Sequence, residues 1–552
     1  MRRLILLLTA VTLGLAMPPM PGTGRRLSFP GRMERAEKVK KITDRSPALL
    51  VILVDFADHQ HNFSRTDFQN LLFTSGAGSM KDYFQEVSYG NLVLTGQLAG
   101  WVRLNNPYSY YLGDSFGIYG QFPHNSQGLV RDVIGLVDDS VDFSRYDWDG
   151  DGLVDGLLLV HAGPGAEETG RTGDIWSHKW QLSDPVFGSP GPVQTGDGVG
   201  IDVYSIQPER FSDGKLITIG VFVHEFGHII GLPDLYDTDY SSSGLGMFCL
   251  MAAGGWARRS NEEPYGSCPV HPCAWCKYLL GWVQPDSVEP GLVDSIGTAR
   301  IVAAATAPVC FRLLKNPGGA DWTAQGTGEG EYFLIENRQR YGFDQGLPGT
   351  GLLILHIDES RLGNDDERQP LVGILRADHS RAFALDPGDR GSDAHLWKES
   401  DTGVRHNTIP STAFYDGIQS GVVIERISRS DSVMSASLKI APLFLGNVYS
   451  FPNPVVQRSN QAQATIVYSP TDSTKLAGQF PKFRVRIFNL AGEPVRVLDE
   501  EGTEINPRRR AAYWNLLNEQ KRAVTSGMYF YLVEIEEEGI KEQNVGRLTI
   551  VR

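Results

Sequence analysis

The stretch His224-Glu225-Phe226-Gly227-His228-Ile229-Ile230-Gly231-Leu232-Pro233-Asp234 decides how this chain is read. Around it, apolar residues at Ile219, Val223, Phe226 and Ile230 recur at helical spacing, which predicts a helix over 216–230 with one face against a core. On such a helix His224 and His228 lie one turn apart on the same side, so their imidazoles can share a metal ion. Zinc is the expected ion, because two imidazoles supply half of its tetrahedral donor set. Glu225 can reach a metal-bound water without itself ligating, accept the proton of that water and deliver it to a leaving amine. Gly231 permits the left-handed turn that ends the helix, Pro233 prevents its continuation, and Asp234 stands where a third ligand can swing back. Two histidines on a surface helix would explain the short HExxH pattern. The longer HExxHxxGxxD pattern on an amphipathic helix favours a metal site.

Met251 follows in Cys249-Leu-Met-Ala-Ala-Gly254-Gly255-Trp256, where a methionine turn could form an apolar floor beneath the metal. Upstream, Asp147-Trp-Asp149-Gly-Asp151-Gly152-Leu153-Val-Asp155 sets carboxylates at alternate positions of a tight loop. Hard oxygen donors at this density suit Ca²⁺, with Asp147, Asp149, Asp151, the Leu153 carbonyl and Asp155 as ligands. The loop lacks the bidentate glutamate of a full EF-hand, since its twelfth position is Leu158, so it reads as a structural calcium loop feeding a strand. His161, at the end of that strand, reads as a packed core histidine.

The remainder of the 552 residues exceeds what one core can organise. Arg2-Arg3 followed by an apolar run to Met17 predicts a cleaved export signal over residues 1–17, too short to span a membrane. Residues 18–46 form a basic leader or short pro-segment, rich in arginine and lysine from Arg25 to Arg45. Ala48-Leu-Leu-Val-Ile-Leu-Val54 predicts a strand buried on both faces, Ser79 to Val87 a capped helix, and Asn91 to Leu98 and Gly156 to Val160 further strands. An α+β catalytic domain over 47–284 is expected from this mixture, then a β-rich region over 285–441. Pro442 to Asn453 reads as a linker into a final β-sandwich, the module as a whole covering 442–552. The formal net charge of -14 argues against a nucleic-acid partner. No later segment is apolar for long enough to predict a transmembrane helix. The five cysteines, Cys249, Cys268, Cys273, Cys276 and Cys310, suggest one or two disulfides plus a buried thiol in an exported chain. A zinc knuckle of Cys268, His271, Cys273 and Cys276 is disfavoured because no second CxxC pair completes it.

The motif from His224 to Asp237 and the turn from Gly246 to Trp256 resemble those of the immune-inhibitor-A-like secreted metallopeptidases, a metzincin-like family. Leu53-Val-Asp-Phe56, Ser88-Tyr-Gly-Asn-Leu92, Ala274 to Trp282, Leu334 to Arg338 and Gly351 to Asp358 extend the resemblance across about Ala48 to Leu438. It implies a zinc endopeptidase acting on proteins, with His224, His228 and Asp234 as ligands and Glu225 as base. Phe248-Cys249 departs from the Trp-Asp common in that family. The tyrosine that some metzincins place two residues after the methionine is missing, leaving Tyr236 as the substitute candidate. The tail from about Gly446 resembles Ig-like sandwich tails of exported bacterial enzymes, including type IX secretion sorting domains. That implies the secretion machinery or the cell surface as a partner. The competing expectations are a catalytically silent surface adhesin on a protease fold and a metal-dependent hydrolase of non-peptide substrates.

Overall fold

The computed structural model describes residues 15–18 and 46–552, apart from 114, 290–292, 294, 317, 324–327, 381, 418–419, 441–447, 457–461, 469–481, 500–504, 507–510, 538–539 and 552. Most of the expected export signal, the basic leader from Arg25 to Arg45 and part of the expected linker lie outside the described residues. The chain is multidomain and rich in β-structure, with few helices. It divides into two compact units, one of Met1–Ser287, Thr298–Ser411 and Ile424–Ser437, the other of Val288–Gly297, Thr412–Val423 and Leu438–Arg552.

The first unit is built on a mixed sheet. Its strands run in the order Leu15–Ala16, His178–Gln181, Val203–Arg210, Leu157–Pro164, Ala48–Asp55 and Thr95–Arg103. The last four are mutually parallel, whereas His178–Gln181 is antiparallel to Val203–Arg210 and Leu15–Ala16 is antiparallel to His178–Gln181. Ala48–Asp55 is buried on both faces along nearly its whole length, as its unbroken apolar run requires. Leu50, Ile52 and Val54 share a core with Leu129, Val130, Val133 and Ile134 of the helix Ser126–Val137. Alternation sends Leu49, Val51 and Leu53 to the other face. The helix Met80–Val87 starts at Ser79 through a capping box with Asp82, and its Phe84 meets Phe226 of the helix Ile219–Ile229 edge to face at 4.9 Å.

The strand expected over 91–98 instead spans Thr95–Arg103. The chain is still turning before it, with Gly90 N–H donating to the Gln85 carbonyl and Asn91 N–H to the Ser88 carbonyl. Further along the unit, Glu331–Arg338 and Gly351–Asp358 pair antiparallel and are buried throughout.

The expectation of disulfides is overturned. All five cysteines are free and buried. The nearest sulfurs stand 3.7 and 3.9 Å apart, well beyond the roughly 2.0 Å of a disulfide bond.

In the second unit, one sheet orders Val448–Phe451, Ala464–Tyr468, Ala511–Trp514 and Ile505–Asn506. The other orders Val455–Val456, Ile540–Val551, Gly527–Glu537, Lys482–Asn489 and Pro494–Leu498. Ile466 and Trp514 from the first sheet and Val485, Tyr531 and Leu548 from the second contribute to one core. Among the described residues, no helix is long and apolar enough to cross a membrane.

Candidate metal centre

The helix Ile219–Ile229 is buried on every side, the face carrying His224, Glu225 and His228 included. Its sequence periodicity marks only the apolar face. The polar face is enclosed because two other segments fold over it. One is the loop beyond Gly231, which adopts φ +100°, a backbone conformation that favours glycine. Leu232 N–H then donates to the Gly227 carbonyl, and the Leu232 carbonyl comes within 2.8 Å of His228 Nδ1. The other is the turn carrying Met251. Its Leu250 carbonyl lies 3.0 Å from His224 Nδ1, and its Met251 carbonyl accepts from Leu235 N–H. A methyl group added at Gly227 would meet the Met251 sulfur at 2.6 Å, so the helix and the methionine approach as closely as a glycine allows. Gly227→Ala is therefore expected to cost about 1–3 kcal/mol. Denaturant melts check this, and an unchanged midpoint would refute the close approach.

A carbonyl can only accept, so each Nδ1 that faces one carries the proton and each Nε2 presents a lone pair. These two Nε2 atoms are 3.1 Å apart, and Asp234 Oδ1 is 3.3 Å from each. Asp234 Oδ1 is buried and accepts no hydrogen bond. Three electron-rich atoms at this separation repel one another unless a cation lies among them. Donors 2.0–2.1 Å from a tetrahedral zinc would be separated by about 3.3–3.4 Å, so the residues present fit that ion.

Glu225 is fully buried, and neither carboxylate oxygen has a hydrogen-bond partner. The N–H groups of Met17 and Lys179 face it without reaching bonding geometry. Burial pushes its pKa well above the usual carboxylate range, with Asp234 and Glu167 adding to the shift.

Glu167 is a participant that no sequence motif marks. It is buried, accepts from Ser177 N–H and Oγ–H, and burial raises its pKa to about 7. Its folded pKa lies above the unfolded value of about 4.5, so its stabilising contribution is complete below pH 4.5 and is lost as pH rises to about 7. The loss amounts to roughly 3 kcal/mol. Glu167→Gln is expected to flatten the stability profile between pH 5 and pH 8 by that order, measured by denaturant titration at each pH. An unaltered profile would contradict the assignment.

Tyr236 is buried and stacks on Tyr240 with ring centroids 6.4 Å apart. The Tyr240 hydroxyl is buried without a hydrogen-bond partner, and the Asp234 charge adds to the effect of burial in raising both phenols. Tyr240 is a second residue that sequence spacing does not single out. His161 is fully buried with Nδ1 3.1 Å from the Ala162 carbonyl, and burial lowers its pKa to about 4.

In the acidic loop, carboxylate oxygens of Asp147, Asp149 and Asp151 lie within 4.8 Å of one another. Asp147 accepts from Gly150 and Gly152 N–H, and Asp151 from Leu153 N–H. Asp155 is buried, and one of its oxygens accepts from Trp148 N–H.

Residues 35–283, which contain His224, Glu225, His228, Asp234 and the acidic loop, match the family model described as the immune inhibitor A peptidase M6 catalytic domain. The chain carries an M6 peptidase domain. Over 260 residues it is 32% identical to Immune inhibitor A of Bacillus thuringiensis subsp. alesti, a match covering 39% of this chain and 37% of that protein. Over 286 residues it is 29% identical to the pre-pro-metalloprotease PrtV of Vibrio cholerae serotype O1, covering 43% of this chain and 30% of that protein. The chain thus spans about a third of the length of the curated relatives it matches. Among solved structures, PorZ of Porphyromonas gingivalis, a surface component of the type IX secretion system, aligns at 17% identity with a TM-score of 0.15. It covers 37% of this chain and 20% of that one, a likeness too slight to carry an argument.

Proposed function

We propose that this chain is an exported zinc endopeptidase of proteins, with a metzincin-like site in which His224, His228 and Asp234 hold the zinc and Glu225 is the general base. The observation that carries the reading is the convergence of two imidazole lone pairs and an unpartnered carboxylate oxygen, with a second unpartnered carboxylate, Glu225, next to His224 in sequence. Zinc, when bound, supplies Lewis acidity and makes a water more acidic. Glu225 accepts the proton of the attacking water at its carboxylate and delivers it to the leaving amine nitrogen. Its dry surroundings raise its proton affinity. The Leu250 and Leu232 carbonyls fix the ring orientations, and Met251 forms the floor.

The substrate backbone adds as an antiparallel strand to His178–Gln181. Leu15–Ala16 already lies there in that manner, with Met17 buried against Gly255. Export by a signal over 1–17 would remove this segment, and with it a chain that covers Glu225. The remaining organisation is a leader over 18–46, a catalytic domain over 47–284, its β-rich continuation over 285–441 and an Ig-like sandwich over 442–552 serving sorting or surface attachment. The two sheets that share one core support the last of these.

The reading is tested by incubating the protein, trimmed after Met17, with casein and with small esters and amides. Cleavage of casein is expected; turnover of esters without casein would favour the non-peptide hydrolase.

Asp147, Asp149 and Asp151, whose carboxylates stand together, are proposed to hold a structural Ca²⁺, with the Leu153 carbonyl and Asp155 completing the set expected from sequence. Ca²⁺ at a hundredfold excess over its Kd is expected to stabilise the protein by about 2.7 kcal/mol. Thermal melts of wild type and Asp149→Ala check this, the increment vanishing in the variant. A wild-type melt indifferent to Ca²⁺ would contradict the site.

A further inference from the structure

We propose that Cys249, Cys273 and Cys276 form a second, structural metal site for a thiophilic cation such as zinc. The three thiols converge from two segments, Cys249 from the methionine turn and the others from a CxxC stretch in which Cys273 caps the helix Ala274–Leu279. All three are fully buried. Cys276 Sγ stands 3.7 Å from Cys273 Sγ and 3.9 Å from Cys249 Sγ, and all three sulfurs fall within 4.8 Å of one another. Thiolates about 2.3 Å from a tetrahedral zinc are separated by about 3.8 Å, so the two closer separations are those of sulfurs around one ion. They are also far too long for a disulfide.

The Cys273 N–H donates to Cys249 Sγ at 3.3 Å, the kind of contact that steadies a thiolate. The buried Arg338 guanidinium, paired with Asp344 and Glu336, donates to the Phe248 carbonyl at 2.6 Å and so fixes the backbone beside Cys249. Soft sulfur donors without imidazole or carboxylate select zinc or a monovalent copper ion over hard cations.

The remaining members of the knuckle considered from sequence are engaged elsewhere. Cys268 Sγ donates to the Phe343 carbonyl at 3.2 Å. His271 has its Nε2 2.9 Å from Glu86, and its Nδ1 accepts from Lys277. Among the described residues the cluster therefore supplies three protein donors, leaving any fourth position to a water.

A cation held here would cross-link the methionine turn to the helix Ala274–Leu279. Leu250, whose carbonyl orients His224, directly follows Cys249, so the cross-link would brace the floor of the M6 site. This inference rests on the thiol geometry and not on the peptidase reading.

The test uses full-length protein purified under reducing conditions and loaded with zinc. In a His224→Ala/His228→Ala background one equivalent of zinc is expected to remain, falling to none when Cys249→Ser is added. Should the triple variant fail to fold, cobalt(II)-loaded wild-type protein provides an independent measurement. A sulfur-to-cobalt charge-transfer band in the near ultraviolet is expected, and it is expected to be lost in Cys249→Ser. Absence of that band, its persistence in Cys249→Ser, or a disulfide among these cysteines in the non-reduced mass spectrum would overturn the proposal.

Discussion

Glu225→Gln is expected to lower kcat/KM on casein by about 10²- to 10⁴-fold, an increase in barrier of roughly 3–5.5 kcal/mol, while leaving the zinc content unchanged. The amide has the shape of the carboxylate but cannot take a proton from the attacking water. The substitution breaks no hydrogen bond, because neither Glu225 oxygen has a partner. It also replaces an ionisable group by a neutral one in a dry site, so the variant should be no less stable than wild type. Kinetics, zinc analysis and a denaturant melt on the same preparation separate the outcomes. Loss of zinc together with activity would mean that Glu225 holds the site together and is not the base. Activity near that of wild type would place the base elsewhere.

His228→Ala is expected to abolish casein hydrolysis and to lower the zinc content by one equivalent. It deletes one of the three donors, whose Nε2 lies 3.1 Å from that of His224 and 3.3 Å from Asp234. It also frees the Leu232 carbonyl, which anchors the loop leading to Asp234. Binding to the folded state alone stabilises by about 4 kcal/mol when zinc stands a thousandfold above its Kd, and the variant forfeits this increment. Zinc analysis and melts with added zinc provide the check. A full complement of zinc in the variant would exclude His228 as a ligand.

Local spacing made much of this legible. The zinc-motif helix, expected over 216–230 and found over Ile219–Ile229, the cap at Ser79 and the buried run from Ala48 follow from short-range rules of periodicity and capping. The motif from His224 to Asp234 was readable because its members share one helix and the turn that follows it. Features that depend on distant packing were not. The four-residue strand His178–Gln181 is too short to signal itself, and the polar helix face is buried by segments remote in sequence on both sides, Met17 and Lys179 before it and the Met251 turn after it. Glu167 belongs to no pattern, yet its burial and its bonds to Ser177 place it near Glu225. The cysteines illustrate the limit most sharply. Cys249 is remote in sequence from Cys273 and Cys276, so counting and spacing suggested disulfides, and only the fold of the methionine turn brings the three together.

The most direct test of the account is casein hydrolysis by the wild-type protein trimmed after Met17, before and after a zinc chelator and again after zinc is restored. The account predicts hydrolysis that the chelator abolishes and zinc returns. A folded, zinc-loaded preparation that cleaves no protein substrate would contradict it and favour the silent surface-binding protein.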